Sequence, residues 1–231
     1  MSDNFIALIT ARGGSKGLPR KNVLPVGEFP LIYWSIKAAK ECKLISEVFV
    51  STDDDEIASV SESFGAKIIE RPKELATDTA SSVDVILHST KWLDHNGYNC
   101  DNMVLLQPTS PLRTATHIQE ALHVFLEKKA DLVISVFEPH HTPLKSYIEC
   151  ENGAIKGLYS ANAPYCRRQD LPPAYQPNGA IYAFSVTKFK VESHFPRENV
   201  FPYIMQEVDS TDIDTIDDVI TVEKRIKEIY R

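Results

Sequence analysis

The sequence predicts an α/β fold in three layers, a mostly parallel sheet covered by helices on both faces. Three observations predict it. Short apolar runs rich in β-branched residues recur along the chain, segments with apolar residues at helical spacing separate them, and the strand-like runs are apolar throughout rather than alternating. A strand can be apolar on both sides only where neither face meets water, which is the condition inside a helix-covered parallel sheet.

The elements follow in order. FIALIT (residues 5–10), EVFVST (47–52), AKIIE (66–70), NMVLLQ (102–107) and DLVISV (131–136) read as strands. Residues 30–42, 54–65, 81–93 and 116–129 carry helical periodicity; in the third, Val83, Ile86, Leu87, Thr90 and Leu93 share one face. From residue 138 to 175 the pattern changes to turn-rich sequence with many Pro, Asn and Tyr and short strand-like pieces, an excursion from the main sheet. AIYAF (180–184) and VFPYIM (200–205) return as strands, and residues 216–230 close the chain as an amphipathic helix. Thr215 caps that helix, with Asp217 and Asp218 near its positive end. Residues 1–231 thus read as one domain with 138–175 as an appendage.

Composition narrows the function. A net charge of -7 over 231 residues argues against general nucleic-acid binding, which needs surplus Lys and Arg against phosphate. Cys42, Cys100, Cys150 and Cys166 are far apart in sequence, so neither a zinc site nor a disulfide framework is expected. There is no signal-like amino terminus and no apolar run near the roughly 18 residues that span a bilayer, so a cytoplasmic protein without membrane contact is expected.

Ligands of such sheets sit beyond the carboxyl ends of the strands. There, after the first strand, ARGGSKGLPRKN (11–22) gathers Gly13, Gly14 and Gly17 with Arg12, Lys16, Arg20 and Lys21, and no acid falls between Asp3 and Glu28. Glycines let backbone N–H groups approach a ligand, and the cations add charge, a combination suited to a polyphosphate. The spacing matches neither the G-x-G-x-x-G dinucleotide fingerprint nor the G-x-x-x-x-G-K-[ST] loop.

Near the other end, Asp212 and Asp214 are two residues apart, so in extended backbone both carboxylates face one side and Ile213 the other. Two hard oxygen ligands suit Mg²⁺, which takes one or two carboxylates plus substrate phosphates. The acidic run STDDDEI (51–57) competes as a metal site, but reads better as the start of a helix capped by Asp53 or Asp54. His140 and His141 read as structural, with no nucleophile at a suggestive spacing.

Taken together, ARGGSKGLPRKN, STDDDEIA, RPKELATDTASS, LLQPTSPLR, HHTPLK, QPNGAIY and DSTDIDT resemble the CMP-sialic acid synthetases, or N-acylneuraminate cytidylyltransferases, in the same order from about residue 5 to 225. The resemblance implies a Rossmann-like nucleotidyltransferase fold whose extension, here 138–175, reaches into the partner of a homodimer. It implies transfer of CMP from CTP, with Mg²⁺, to the anomeric hydroxyl of a nine-carbon α-keto acid sugar of sialic or legionaminic type, releasing pyrophosphate.

Carried onto this sequence, the resemblance sets Ala11, Arg12, Lys16, Lys21, Asn22, Arg71 and Ser82 around the nucleotide, with Arg12, Lys16 and Lys21 on its phosphates. Gln107, Lys145, Arg168, Asn178 and Tyr182 match sugar contacts, and Asp212 and Asp214 match the metal pair. In-line attack on the α-phosphorus builds negative charge, so catalysis is expected to rest on positioning and electrostatics from Arg12, Lys16 and Lys21. Asp214, or a water or hydroxide it orients on the metal, is the expected proton acceptor and Lys21 its weaker rival. Arg20 departs from the family pattern by adding a cation to the loop. Related readings are a cytidylyltransferase for 3-deoxy-manno-octulosonate or pseudaminic acid, and a catalytically silent sugar-nucleotide sensor.

Overall fold

A computed structural model of the chain describes residues 5–15 and 17–229. Lys16, expected at the phosphates, lies outside the described residues.

The described residues open with β1 (Phe5–Thr10), a small antiparallel ribbon of β2 (Pro25–Val26) and β3 (Phe29–Pro30), and α1 (Leu31–Glu41). Alternation follows through β4 (Ile45–Thr52), α2 (Asp55–Ser63), β5 (Lys67–Glu70), α3 (Ser82–His95), β6 (Asn102–Leu106), α4 (Ala115–Lys128) and β7 (Leu132–Phe137). The excursion carries a second ribbon, β8 (Tyr147–Glu149) with β9 (Ile155–Gly157), before β10 (Gln176–Ser185), α5 (Val186–Glu192), β11 (Val200–Ile204) and α6 (Ile216–Ile229).

Seven strands form one sheet in the order β11-β7-β10-β6-β1-β4-β5. Only β10 runs against its neighbours. The excursion leaves β7 at the carboxyl edge and re-enters the sheet from that same edge, so the returning strand must run the other way.

The apolar runs are explained by burial on two faces. In β1, Phe5, Ala7 and Ile9 pack with Ile32 and Ile36 of α1 and Ile118 and Leu122 of α4. Ile6 and Leu8 face the opposite layer with Ile86 and Leu93 of α3 and Phe189 of α5. Short α5 was not legible as a helix, since its seven residues hold too few turns to show a period. Helix α6 lays Val219, Val222 and Ile226 on Val26, Leu31 and Trp34, bringing the end of the chain beside its beginning.

The caps follow the local sequence. Asp54 accepts from the Ile57 amide at 3.0 Å, Ser81 caps α3, and Thr215 accepts from the Asp218 amide at 3.3 Å. Thr114 and His117 form a reciprocal box at the start of α4.

Candidate active site

The carboxyl ends of β1, β4, β5 and β6 and the amino end of β10 share one edge of the sheet, and the loops leaving that edge carry the polar side chains. Ala11 continues β1, its amide bonded to the Ser51 carbonyl at 3.0 Å and its side chain buried. The glycine loop then turns over the edge.

The other end of the chain meets that loop. Lys21 Nζ donates to Asp214 Oδ1 at 3.0 Å and to the Ile213 carbonyl at 2.8 Å. Gly17 lies so close to this segment that a Cβ there would stand 2.9 Å from the Asp214 carbonyl oxygen, which explains glycine at that position. Ile213 is fully buried between the two exposed acids, and its amide is held by the Thr109 carbonyl at 2.8 Å. Although Asp212 as a whole is exposed, its carboxyl is partly desolvated, which pushes its pKa upward; the neighbouring Asp214 charge adds to the shift and a hydrogen bond accepted from Thr109 opposes it.

Two cavities open here. One, of about 360 Å³, is lined by Arg12, Ser15, Gly17, Lys21, Asn22, Gln107, Thr109 and Asp214. The other, of about 270 Å³, is lined by Arg12, Arg71, Leu75, Thr77, Asp78 and Ser82. Thr10 and Arg12 line both, so one ligand spanning the pair passes the Arg12 guanidinium. Asn22 supports that arginine from behind, donating from Nδ2 to the Arg12 carbonyl at 3.0 Å. Arg71 is buried and donates to Ser51 Oγ at 3.2 Å and the Ser51 carbonyl at 2.6 Å; burial lowers its pKa to about 10, so it still carries its charge at neutral pH.

The structure thereby brings together Ala11, Arg12, Lys21, Asn22, Arg71, Ser82, Gln107, Asp212 and Asp214 of the residues expected from sequence. Four others line neither cavity. Asn178 is buried, its Oδ1 accepting from Ser135 Oγ at 2.6 Å and the Ala180 amide at 3.1 Å, and its Nδ2 donating to Ser210 Oγ at 2.9 Å. It spans a break in the β10 ladder between Pro177 and Tyr182. Tyr182 stacks on Phe195 within the α5 layer, with ring centroids 5.4 Å apart. Arg168 donates to Glu138 Oε1 at 2.8 Å and the His140 carbonyl at 3.0 Å, in a third cavity of about 420 Å³ formed within the excursion. Lys145 sits half-buried on the turn before β8. His140 and His141, read as structural, pack edge to face.

The roles of several participants were not legible in the sequence. Asp78 pairs with Arg12 at 2.9 Å, Thr109 holds the aspartate segment, and Asp53 Oδ1 accepts the Gly13 amide at 3.0 Å. Fully buried Arg113 ties the turn after β6 together, donating to the Ser110 carbonyl at 3.1 Å, the Gln107 carbonyl at 3.3 Å and Ser35 Oγ. The placement of PTSPLR after a strand was a signal for Thr109; nothing local marks Asp78.

A family model described as cytidylyltransferase matches residues 6–229. The chain is 36% identical over 219 residues to N-acylneuraminate cytidylyltransferase of Streptococcus agalactiae serotype V, covering 94% of this chain and 52% of that protein. It is 30% identical over 231 residues to post-translational flagellin modification protein B of Campylobacter coli, covering 97% and 95% of the two. It therefore spans about half the length of the first relative and nearly all of the second. A solved structure of CMP:2-keto-3-deoxy-manno-octonic acid synthetase complexed with CTP superposes with a TM-score of 0.73 at 19% identity over 98% of this chain and 99% of that one, a likeness of fold.

Proposed function

The chain belongs to the cytidylyltransferase family, and from that premise we propose that it transfers CMP from CTP to the anomeric hydroxyl of a nine-carbon α-keto acid sugar of sialic or legionaminic type. The observation that carries this reading is the meeting of the glycine loop and the Asp212–Asp214 segment across one cleft, with Lys21 3.0 Å from Asp214. A triphosphate needs cations and backbone approach on one side and a metal-binding carboxylate pair on the other, and this cleft offers both.

The nucleoside occupies the cavity of Arg71 and Ser82, and the phosphates run past Arg12 towards Lys21. Asp212 and Asp214 would hold Mg²⁺. They fit it: two carboxylates flank buried Ile213, and desolvation first and the Asp214 charge second disfavour the ionised Asp212 carboxyl, a cost that a divalent cation relieves. No group of three or more acids, histidines or cysteines suited to a metal occurs among the described residues, and Mg²⁺ needs none when phosphates complete its shell. When bound, the ion adds positive charge against the phosphoryl oxygens.

In the reaction, the sugar hydroxyl oxygen bonds to the α-phosphorus as the bond to the β-phosphate oxygen breaks, and pyrophosphate leaves with that electron pair. Arg12 and Lys21 stabilise the charge that grows on the phosphoryl oxygens. The hydroxyl proton passes to Asp214 or to a water it orients; Lys21, whose ammonium donates to that carboxylate, has no lone pair to receive it. Gln107 faces the sugar, with buried Asn178 and half-buried Tyr182 behind it: Gly179, next to Asn178, lies directly against the Gln107 side chain.

Lys145 and Arg168 lie outside the cleft of their own chain, which suits residues that complete the cleft of a second copy and meet the sugar carboxylate there. The excursion leaves Tyr147, Ile148, Ile155, Leu158, Tyr159 and Tyr165 exposed, an apolar surface fit for a homodimer contact. No described helix is long and apolar enough to cross a membrane. All four cysteines are free, and with CTP as substrate this supports a cytoplasmic setting.

The test is pyrophosphate release from CTP and Mg²⁺ with N-acetylneuraminate, legionaminate, pseudaminate and 3-deoxy-manno-octulosonate in parallel. Release with either of the first two is expected. Tight CTP binding without release for any of the four would point instead to a sensor.

A further inference from the structure

The acidic run after β4 has a second part to play beyond capping α2. Gly13 and Arg20, at the two ends of the glycine loop, both rest on it. The Gly13 amide donates to Asp53 Oδ1 at 3.0 Å, and a Cβ on Gly13 would lie 2.7 Å from Asp54 Oδ2. Arg20 spreads its guanidinium over Asp54 and Glu56, with Nη2 2.9 Å from Asp54 Oδ1.

The backbone of Arg20 says that this side chain is there for a reason. Its φ of 56° and ψ of 28° lie in the left-handed region, where glycine costs less than any L residue with a Cβ. Its carbonyl accepts from the Val23 amide at 3.0 Å and the Leu24 amide at 3.1 Å, closing the turn that presents Lys21 and Asn22. Lys21 then reaches Asp214, and Asn22 holds the Arg12 carbonyl. The position of residue 20 therefore sets two groups of the phosphate cleft.

Resting on the functional reading above, we propose that Arg20 is a positioning residue for CTP: its clamp on Asp54 and Glu56 holds the glycine loop so that Lys21 and Arg12 face the triphosphate. The clamp also neutralises carboxylates that would otherwise repel that ligand. An exposed single ion pair would do little, but a forked guanidinium shared by two acids is a network of the kind that holds geometry. The pull of Arg20 on Asp54 shows in the same direction, since that hydrogen bond is the largest influence keeping the Asp54 carboxyl below the usual carboxylate pKa.

The experiment compares Arg20→Gly, Arg20→Lys, Asp54→Ser and the double variant Arg20→Gly with Asp54→Ser. Serine keeps a cap on α2, and glycine relieves the left-handed backbone, so each single variant should melt within about 3 °C of the parent. Expected is a fall of about tenfold in kcat/KM for CTP in Arg20→Gly and in Asp54→Ser, carried by KM, no further fall in the double variant, and partial recovery in Arg20→Lys. Amide exchange at Val23 and Leu24 in the ligand-free chain should speed up about fivefold or more in Asp54→Ser. Unchanged kcat/KM, additive losses, or losses that track melting temperature would overturn the clamp. If the parent releases no pyrophosphate with any acceptor, the functional reading fails, and the exchange rates alone decide whether Arg20 holds the loop: unchanged rates refute it.

Discussion

Lys21 and Asp214 are 193 positions apart in the chain and 3.0 Å apart in space. Their contact closes a cleft whose one wall is the glycine loop after β1 and whose other wall is the segment entering α6.

Removing a charge from either wall should cost transition-state stabilisation rather than folding. Arg12→Ala, Lys21→Met and Asp212→Ala are each expected to lower kcat for pyrophosphate release by about 10² to 10³, the order usual for losing one transition-state-stabilising group, donor or metal-holding carboxylate. Steady-state rates at saturating CTP and Mg²⁺ check this, and near-parental turnover in any of them removes that residue from the mechanism. Chelation of divalent cations should abolish release and added Mg²⁺ restore it.

The two nearby glycines should behave oppositely. A Cβ on Gly14 meets nothing within 4 Å, whereas one on Gly17 meets the Asp214 carbonyl oxygen at 2.9 Å. Gly14→Ala is therefore expected to leave CTP affinity unchanged, and Gly17→Ala to weaken it about tenfold by pushing the loop off Asp214. Calorimetric titration with CTP and Mg²⁺ distinguishes the two.

Asn178 offers a test of structure against contact. Its side chain joins Ser135, Ala180 and Ser210, and truncation leaves their buried groups without partners. Asn178→Ala should cost about 2 to 3 kcal/mol and lower Tm by roughly 4–12 °C. A parental melting curve with impaired sugar binding would show instead that the amide serves the ligand.

Acid should weaken the fold through two histidines. Burial is the largest influence on both His88 and His117 and holds each below its ordinary pKa of 6.5. Between that lowered value and 6.5 the unfolded chain binds more protons than the folded one, so stability rises with pH. It is complete above about pH 6.5 and is lost as pH falls below it. For His117 the neutral form is also required to accept from the Thr114 amide at 3.3 Å. Thermal melts from pH 7.5 to 5.5 should show Tm falling with acid, and His88→Gln with His117→Gln should flatten that slope. A parent whose Tm does not move over this range would contradict the assignment.

Much of the fold was legible because it depends on local patterns. FIALIT became β1 to the residue, and Thr215 caps α6 as its position beside Asp217 and Asp218 suggested. Asp54 proved to be the cap of α2, while Asp53 turned to the loop instead. That second choice could not be read from STDDDEI, because both aspartates satisfy the same local rule and only the position of Gly13 separates them. Antiparallel β10 was equally hidden: an apolar run of strand length carries no record of its direction.

The sequence by itself determined the alternation of strand and helix, the burial of the sheet on both faces, and the concentration of glycine and cations after the first strand, since periodicity and turn chemistry act over a few residues. Only the tertiary structure decided which charges meet. Lys21 found Asp214, Arg12 found Asp78, and Arg20 found Asp54 because strand order and the docking of α6 on α1 carry distant segments to one edge of the sheet. Pairing between charges falls off within about 10 Å, so it is set by the three-dimensional path of the chain and leaves no periodic trace along it.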